Sequence, residues 1–273
     1  MIEKGKDSRQ SRLGVIILAT LGLVLGGAVA FRGIDLQTHV RQRLQPPSEA
    51  HVLGTDALGR DLLSCLAFGT LASVAIALAV VVLAAMIGTS AGFLAGWHGG
   101  WLGSGIMRLA DFILAFPGIL LALLLIAFWG QGIVSLVGAL ALSGWVGFAR
   151  LVRGEVLRIK KQDFILAARG FNASPARIAR DHVLPLVRPL LLTHAVSAIA
   201  AVILAEASLN FLGLGLDPRL PTLGGLIDAG HGHIFSRPAL VIVPGACLVL
   251  LLAGFVLLAE GLATRRAAGD FEK

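Results

Sequence analysis

Long apolar runs separated by short polar segments dominate the pattern along the chain. A bilayer core of about 30 Å needs about 20 apolar residues in helical conformation. Six runs reach or approach that length: residues 13–30, 70–96, 109–129, 133–149, 189–210 and 239–263. The pattern predicts an all-α polytopic membrane protein with six transmembrane helices.

The composition favours the same class and excludes others. Of the 273 residues, 56% are hydrophobic and 14% are charged, whereas a soluble domain is about 25% charged. A chain with so few charged residues could not cover the water-facing surface of a globular fold, which argues against a soluble enzyme. The apolar content excludes a disordered chain. Cys65 and Cys247 lack the spacing of a metal site, and we expect both to be buried small hydrophobic residues.

The distribution of Lys and Arg predicts the orientation in the membrane. With the N-terminus inside, the inner segments hold 17 of the 23 basic residues. These inner segments are residues 1–12, 97–108, 150–188 and 264–273. By the positive-inside rule, both termini are expected in the cytoplasm. The predicted organisation is a cytoplasmic tail 1–12, one transmembrane domain 13–263 and a cytoplasmic tail 264–273. The first run lacks a convincing signal-peptide cleavage site, so we expect a retained helix.

Inner segment 150–188 is too polar to span the membrane, and it carries nine basic residues against three acidic ones. A first short helix is expected from Asp163 to Asn172, because Asn tolerates the left-handed conformation that ends helices. Ser174 is expected to cap a second helix, which Pro185 then stops. A helix pair on the inner face of the membrane predicts a contact with a cytoplasmic partner.

This helix pair resembles the EAA loop of ABC-importer permeases. The family pattern is Glu-Ala-Ala, three residues, Gly, and then an Ile and a Leu-Pro. The positions that carry the resemblance are Leu166, Ala167, Ala168, Arg169, Asn172, Ile178, His182, Leu184 and Pro185. Leu166 replaces the acidic residue, which removes a charge that would cap the helix or meet a basic partner; Asn172 replaces the Gly. The resemblance implies that the segment couples ATP hydrolysis on a separate subunit to movement of the bundle.

Further stretches resemble one subgroup, the C-type permeases of dipeptide, oligopeptide and nickel importers. They are His51–Asp61, Met107–Asp111 with Pro117, Glu206–Gly215, Pro244–Gly245 and Glu260–Leu262. The resemblance implies a type I ABC importer architecture in the inner membrane, with peptides as cargo and nickel or a metal chelate as the alternative. It also implies four kinds of partner: a homologous B-type permease, two cytoplasmic ABC ATPases, an extracytoplasmic binding protein and membrane lipid.

No enzymatic activity or cofactor is predicted for this chain. It has no GxxxxGK[ST] phosphate loop, so ATP and Mg²⁺ are expected on the ATPase partners. His231 and His233 are the one close pair of histidines, and no metal site is predicted from them.

Polar residues within apolar runs are costly and often functional. The candidates for the translocation path or the permease–permease interface are Asp111, Glu206 and Asn210. Asp111 is expected to pair with Arg108, one turn away. Glu206 is expected either to meet the partner permease or to line the path, and the sequence leaves both open.

An outer segment, residues 51–68, is expected to form an amphipathic helix that starts at Thr55 or Asp56. Its Arg60 and Asp61 would then point to water. Either a landing surface for a binding protein or a structural brace fits this pattern.

Other functions remain as alternatives. The basic loop 150–188 also fits contact with anionic lipid alone. A DNA-binding helix-turn-helix is disfavoured, because its second helix has barely two turns and a span follows at once, so no nucleic-acid partner is predicted. A gradient-driven secondary transporter is expected to show symmetrical halves with broken helices, and the sequence shows no such symmetry.

Overall fold

The computed structural model describes residues 2–34, 36–217 and 220–270, and its regular structure there is almost entirely helical. The helices are α1 (Ile2–Arg32), α2 (Leu62–His98), α3 (Gly100–Leu114), α4 (Gly118–Trp129), α5 (Ile133–Ile159), α6 (Asp163–Gly170), α7 (Pro175–Ile178), α8 (Leu184–Phe211), α9 (Leu223–His231) and α10 (Ala239–Asp270). A 3₁₀ turn covers Val40–Gln42, and a π-helical turn covers Ala179–Val183. Helices α1 and α10 extend into segments 1–12 and 264–273, which were predicted as tails.

Within the described residues, five helical stretches are long and apolar enough to span a membrane, and a sixth span exists if the bent pair α3–α4 counts as one. The run 109–129, predicted as one of the six spans, is bent in the structure, because the chain turns by 90° between α3 and α4. Pro117 stands at the break with an extended ψ of 125°. Its ring has no N–H and restricts the residue before it, which ends α3.

Helix α5 is longer than predicted, because it continues through the first ten residues of segment 150–188 to Ile159. The expected stop at Pro185 is also wrong: the chain is helical without interruption over Pro175–Phe211. Just before Pro185, the N–H of Leu184 bonds to the carbonyl of Ala179, five residues back. This is a π turn, which is wider than an α-helical turn. It stands just before Pro185, which cannot donate a backbone hydrogen bond, and the helix continues through the proline.

The centre of the bundle is the contact between α2 and α5. Three glycines at intervals of four, Gly88, Gly92 and Gly96, face α5. A Cβ on Gly92 would lie 2.4 Å from the carbonyl oxygen of Ala149. Small residues at this spacing let two membrane helices approach to backbone contact.

The outer segment before α2 is not the helix predicted from Thr55 or Asp56. Residues 51–61 form tight turns closed by a bridge between Thr55 and Asp61. Helix α2 begins only at Leu62, where the carboxylate of Asp61 accepts the N–H of Ser64 at 2.8 Å. A terminal carboxylate is a strong helix N-cap, so the helix start is displaced to this residue.

Segment 211–238 contains a helix, α9, that the hydrophobic pattern does not predict. The Thr222 hydroxyl accepts the N–H of Gly225 at 3.1 Å and caps this helix. A Cβ on Gly224 would lie 2.0 Å from the carbonyl oxygen of Ala207 in α8. Helix α9 therefore packs closely against the outer part of α8.

Candidate functional site

Helices α6 and α7, with the π turn, are attached to the inner end of α5 by a small apolar cluster. Ile165 and Ile178 are 0% exposed, and Val183 is 3% exposed. They pack with residues of α5, namely Val152, Val156 and Ile159. The segment Asp163–Pro185, called the elbow below, is therefore packed onto the bundle.

The opposite side of the elbow exposes apolar side chains. Leu166 is 53% exposed, Phe164 is 45% exposed and Phe171 is 89% exposed. Four other predicted docking residues are exposed as well: Ala167, Asn172, Leu184 and Pro185. Arg169 lies in α6, and its side chain is outside the described structure. Exposed apolar groups at a polar membrane surface are typical of a protein contact site.

The turn between α6 and α7 has the predicted geometry. Asn172 adopts a φ of +56°, the left-handed conformation expected at the end of α6. The Ser174 hydroxyl then accepts the N–H of Arg177 at 3.3 Å and caps α7, whose first residue is Pro175. The turn chemistry read from these residues is therefore confirmed.

Three residues predicted for the docking surface lie partly or wholly inside the elbow. Ile178 is buried, and Ala168 is half-buried against the same apolar cluster. The ring of His182 is half-buried, with its centroid 6.1 Å from that of Phe164. The sequence reasoning gave no role to Ile165, although an apolar residue in a short exposed helix indicates an anchor.

Asp111 forms an ion pair, but not with the predicted partner. Its Oδ1 lies 2.5 Å from Nη2 of Arg150, whereas Arg108 was expected. Arg150 is in α5 and Asp111 is in α3, so the pair joins two helices. The side chain of Asp111 is 63% exposed, and that of Arg150 is 50% exposed. Only the packing of α3 beside α5 brings these residues together.

Glu206 and Asn210 belong to a buried polar cluster within this chain. Glu206 is 0% exposed and accepts a hydrogen bond from the Ser73 hydroxyl of α2 at 2.9 Å. The Asn210 amide donates to Glu206 Oε1 at 2.5 Å, and its oxygen accepts the N–H of Leu216 at 2.8 Å. The cluster ties α8 to α2 and to the loop that follows α8. In this chain alone, neither carboxylate oxygen reaches an outer surface.

The outer segment holds a second buried polar cluster. Arg60, predicted to face water, is 4% exposed, and its Nε donates to Asp56 Oδ2 at 2.7 Å. The other oxygen of Asp56 accepts the backbone N–H groups of Leu58 and Arg60. Asp61 Oδ1 lies 3.1 Å from Nδ1 of His51. The turns of this segment are thus organised around carboxylates.

Within the described residues, no group of three or more His, Cys, Asp or Glu side chains is arranged to hold a metal ion. Cys65 and Cys247 are buried thiols, as the sequence predicts.

The family model of the binding-protein-dependent transport system inner membrane component matches residues 88–267. Among relatives, the glutathione transport system permease protein GsiD of Pectobacterium atrosepticum is 39% identical over 216 residues, which cover 79% of this chain and 72% of that protein. The protein of the same name from Shigella dysenteriae serotype 1 is 38% identical over 216 residues, covering 79% of this chain and 71% of that protein.

Two solved structures share the fold. The inward-facing MetNI methionine ABC transporter, in one crystal form, gives a TM-score of 0.58 at 19% identity, covering 74% of this chain and 95% of that chain. An amino acid ABC transporter with histidines gives a TM-score of 0.56 at 16% identity, covering 74% of this chain and 94% of that chain. The chain therefore belongs to the family of inner-membrane components of binding-protein-dependent transport systems, and it is a multi-pass permease subunit of an ABC importer.

Proposed function

We propose that this permease imports peptides with the help of two cytoplasmic ATPase subunits, and that the elbow is the part on which an ATPase docks. The observation that carries this proposal is the two-sided burial of the elbow. Ile165 and Ile178 fix it to α5, while Phe164, Leu166 and Phe171 remain exposed. A segment with one anchored and one exposed apolar side suits a connector between two proteins.

The anchoring also supports a route for force from the ATPase to the membrane helices. The apolar cluster joins the elbow to the end of α5. The uninterrupted helix Pro175–Phe211 joins it directly to α8. Because packed cores deform little, displacement of the elbow would move α5 and α8 together. The pore would be completed by a homologous B-type permease.

Leu166 suggests the chemistry of the docking groove. The family pattern has an acidic residue at this position, and this chain presents a half-exposed leucine. The groove on the ATPase is therefore proposed to be apolar where Leu166 enters it. Because Leu166 is already about half-buried, burial of the rest of its side chain would contribute about 1 kcal/mol, roughly half of the value for a fully exposed leucine.

The proposed cargo is a small peptide delivered by an extracytoplasmic binding protein. The relatives at 38–39% identity are glutathione transport permeases by name, and glutathione is a peptide. These relatives favour peptides over nickel or a metal chelate. Neither ATP nor Mg²⁺ is proposed to bind to this chain.

The docking proposal is tested by Ala167→Arg in the co-expressed importer. Ala167 is exposed in α6, so arginine fits the isolated chain but would bring an unpaired charge into the apolar contact. We expect the ATPase subunits to co-purify at least about 30-fold less, corresponding to a loss of about 2 kcal/mol. ATP-driven peptide uptake should fall in parallel, while the amount of permease in the membrane stays constant.

Ser104→Arg is the matched control, because Ser104 is an exposed residue of α3 in the other predicted inner segment. It should leave ATPase co-purification unchanged. Full ATPase retention and full uptake with Ala167→Arg would contradict the docking role of the elbow.

A further inference from the structure

We propose that an anionic phospholipid of the inner leaflet binds beside the elbow, with its acyl chain in a groove and its headgroup at Lys160. The groove has a volume of about 470 Å³ and runs between the end of α2, α5 and the π turn. Its lining is apolar apart from the hydroxyls of Thr89 and Ser90 and the head of Arg180. Phe93, Val183 and Val187 form its walls. This chemistry suits a hydrocarbon chain.

A more polar pocket of about 620 Å³ adjoins this groove. Trp97, His98, Lys160 and Ser174 are among its lining residues. The two cavities are lined by neighbouring residues of α2: Phe93 of the groove stacks on Trp97 of the pocket, with ring centroids 5.5 Å apart. Pro175 of the pocket is also adjacent in sequence to Ala176 of the groove. An apolar groove that continues into a polar pocket matches an amphiphile.

The charges predict which amphiphile binds. Lys160 donates to the carbonyl of Trp97, and its ammonium lies 5.9 Å from the Trp97 ring centroid. An ammonium has three N–H donors, so this carbonyl leaves donors for a phosphate. The described residues that line the two cavities include no carboxylate. Arg180 at the groove is paired with Asp181 at 2.7 Å, which leaves Lys160 as the cation for the headgroup.

The position in the membrane agrees with a lipid ligand. The groove lies at the end of the apolar helix α2, which terminates at His98. Tryptophan is enriched at the level of lipid headgroups, and Trp97 stands at this end. Basic pockets between helices on the cytoplasmic side bind anionic headgroups. The lipid would therefore occupy the joint between the elbow and the bundle.

The test measures lipids retained by the complete importer after detergent purification from membranes that contain phosphatidylglycerol and phosphatidylethanolamine. Native mass spectrometry counts the lipids bound per complex. We expect Lys160→Gln to reduce retained phosphatidylglycerol about fivefold, the effect of one basic residue near an anionic surface. Lys160→Arg, which keeps the charge, should retain it.

Two pairs of variants separate the headgroup from the acyl chain. Lys161→Gln changes an exposed neighbour that lines neither cavity and should have no effect. Ser90→Phe places a ring in the groove and should reduce retention, whereas Val82→Phe on the exposed face of α2 should not. Equal phosphatidylglycerol retention by Lys160→Gln and the unaltered chain would overturn the proposal, as would equal losses with Lys160→Gln and Lys161→Gln. The assay uses neither ATP nor peptide, so its failure would leave the transport proposal intact.

Discussion

Arg60 and Asp56 form a buried ion pair that holds the outer turns in front of α2. Their side chains are 5% and 4% exposed, and Asp56 also accepts two backbone N–H groups. Gly59, between these two residues in sequence, has a φ of +78°, and a Cβ there would lie 2.0 Å from the carbonyl oxygen of His39. The residues that resemble a family motif are thus explained here by local folding.

Removing Arg60 should destabilise the chain strongly, because Asp56 would remain buried without its cation. Breaking such a pair costs about 3–5 kcal/mol, so Arg60→Met should lower the thermal unfolding temperature in detergent. Arg158→Met is the control: its partner is Glu155, the Arg158 side chain is 60% exposed, and a surface pair contributes about 0–1 kcal/mol. Equal unfolding temperatures for the two variants would contradict a structural role for Arg60.

At the scale of helices, close backbone packing explains several of the glycines in the apolar runs. Gly88, Gly92 and Gly96 line the face of α2 that meets α5. The terminal helices α1 and α10 also approach to backbone contact at glycines, since a Cβ on Gly14 of α1 would lie 2.7 Å from the carbonyl oxygen of Gly254 in α10. Dispersion contacts across such interfaces stabilise helix pairs in lipid, where the hydrophobic effect contributes little.

Gly92→Ala should therefore destabilise the α2–α5 contact despite the better helix propensity of alanine. The added methyl meets backbone at 2.4 Å, and overpacking of this kind costs about 1–3 kcal/mol. Gly105→Ala in α3 is the matched control, because a Cβ there meets nothing within 4 Å. It should be neutral or stabilise by up to about 1 kcal/mol. Thermal unfolding of both variants checks the prediction, which fails if Gly92→Ala is the more stable of the two.

At the scale of the whole molecule, the orientation is predicted by charge and can be measured directly. In a chain whose buried cysteines are replaced by alanine, Glu49→Cys should react with a membrane-impermeant maleimide on intact spheroplasts. Gln162→Cys should react only after the membrane is permeabilised. Residue 162 lies in a predicted inner segment, and the orientation that places this segment inside also places 17 of the 23 basic residues inside. Labelling of the position-162 variant on intact spheroplasts would reverse the predicted orientation, and the elbow would no longer face the cytoplasm.

The sequence by itself determined the class of the protein, its apolar runs and the turn chemistry of the elbow. These features depend on local properties: hydropathy over about 20 residues, the left-handed tolerance of Asn172 and the capping hydroxyl of Ser174. Such properties act between residues that are close along the chain, so a linear pattern contains them.

Only the tertiary structure decided which distant residues meet. Asp111 pairs with Arg150 and not with the predicted Arg108, because α3 packs beside α5. Glu206 is buried where α8 meets α2, and Ser73 of α2 donates a hydrogen bond to it. The continuous helix through Pro185 likewise depends on a π turn that no local propensity predicts. These outcomes follow from packing between helices far apart in sequence, where burial, and not the residue type alone, determines the role of each side chain.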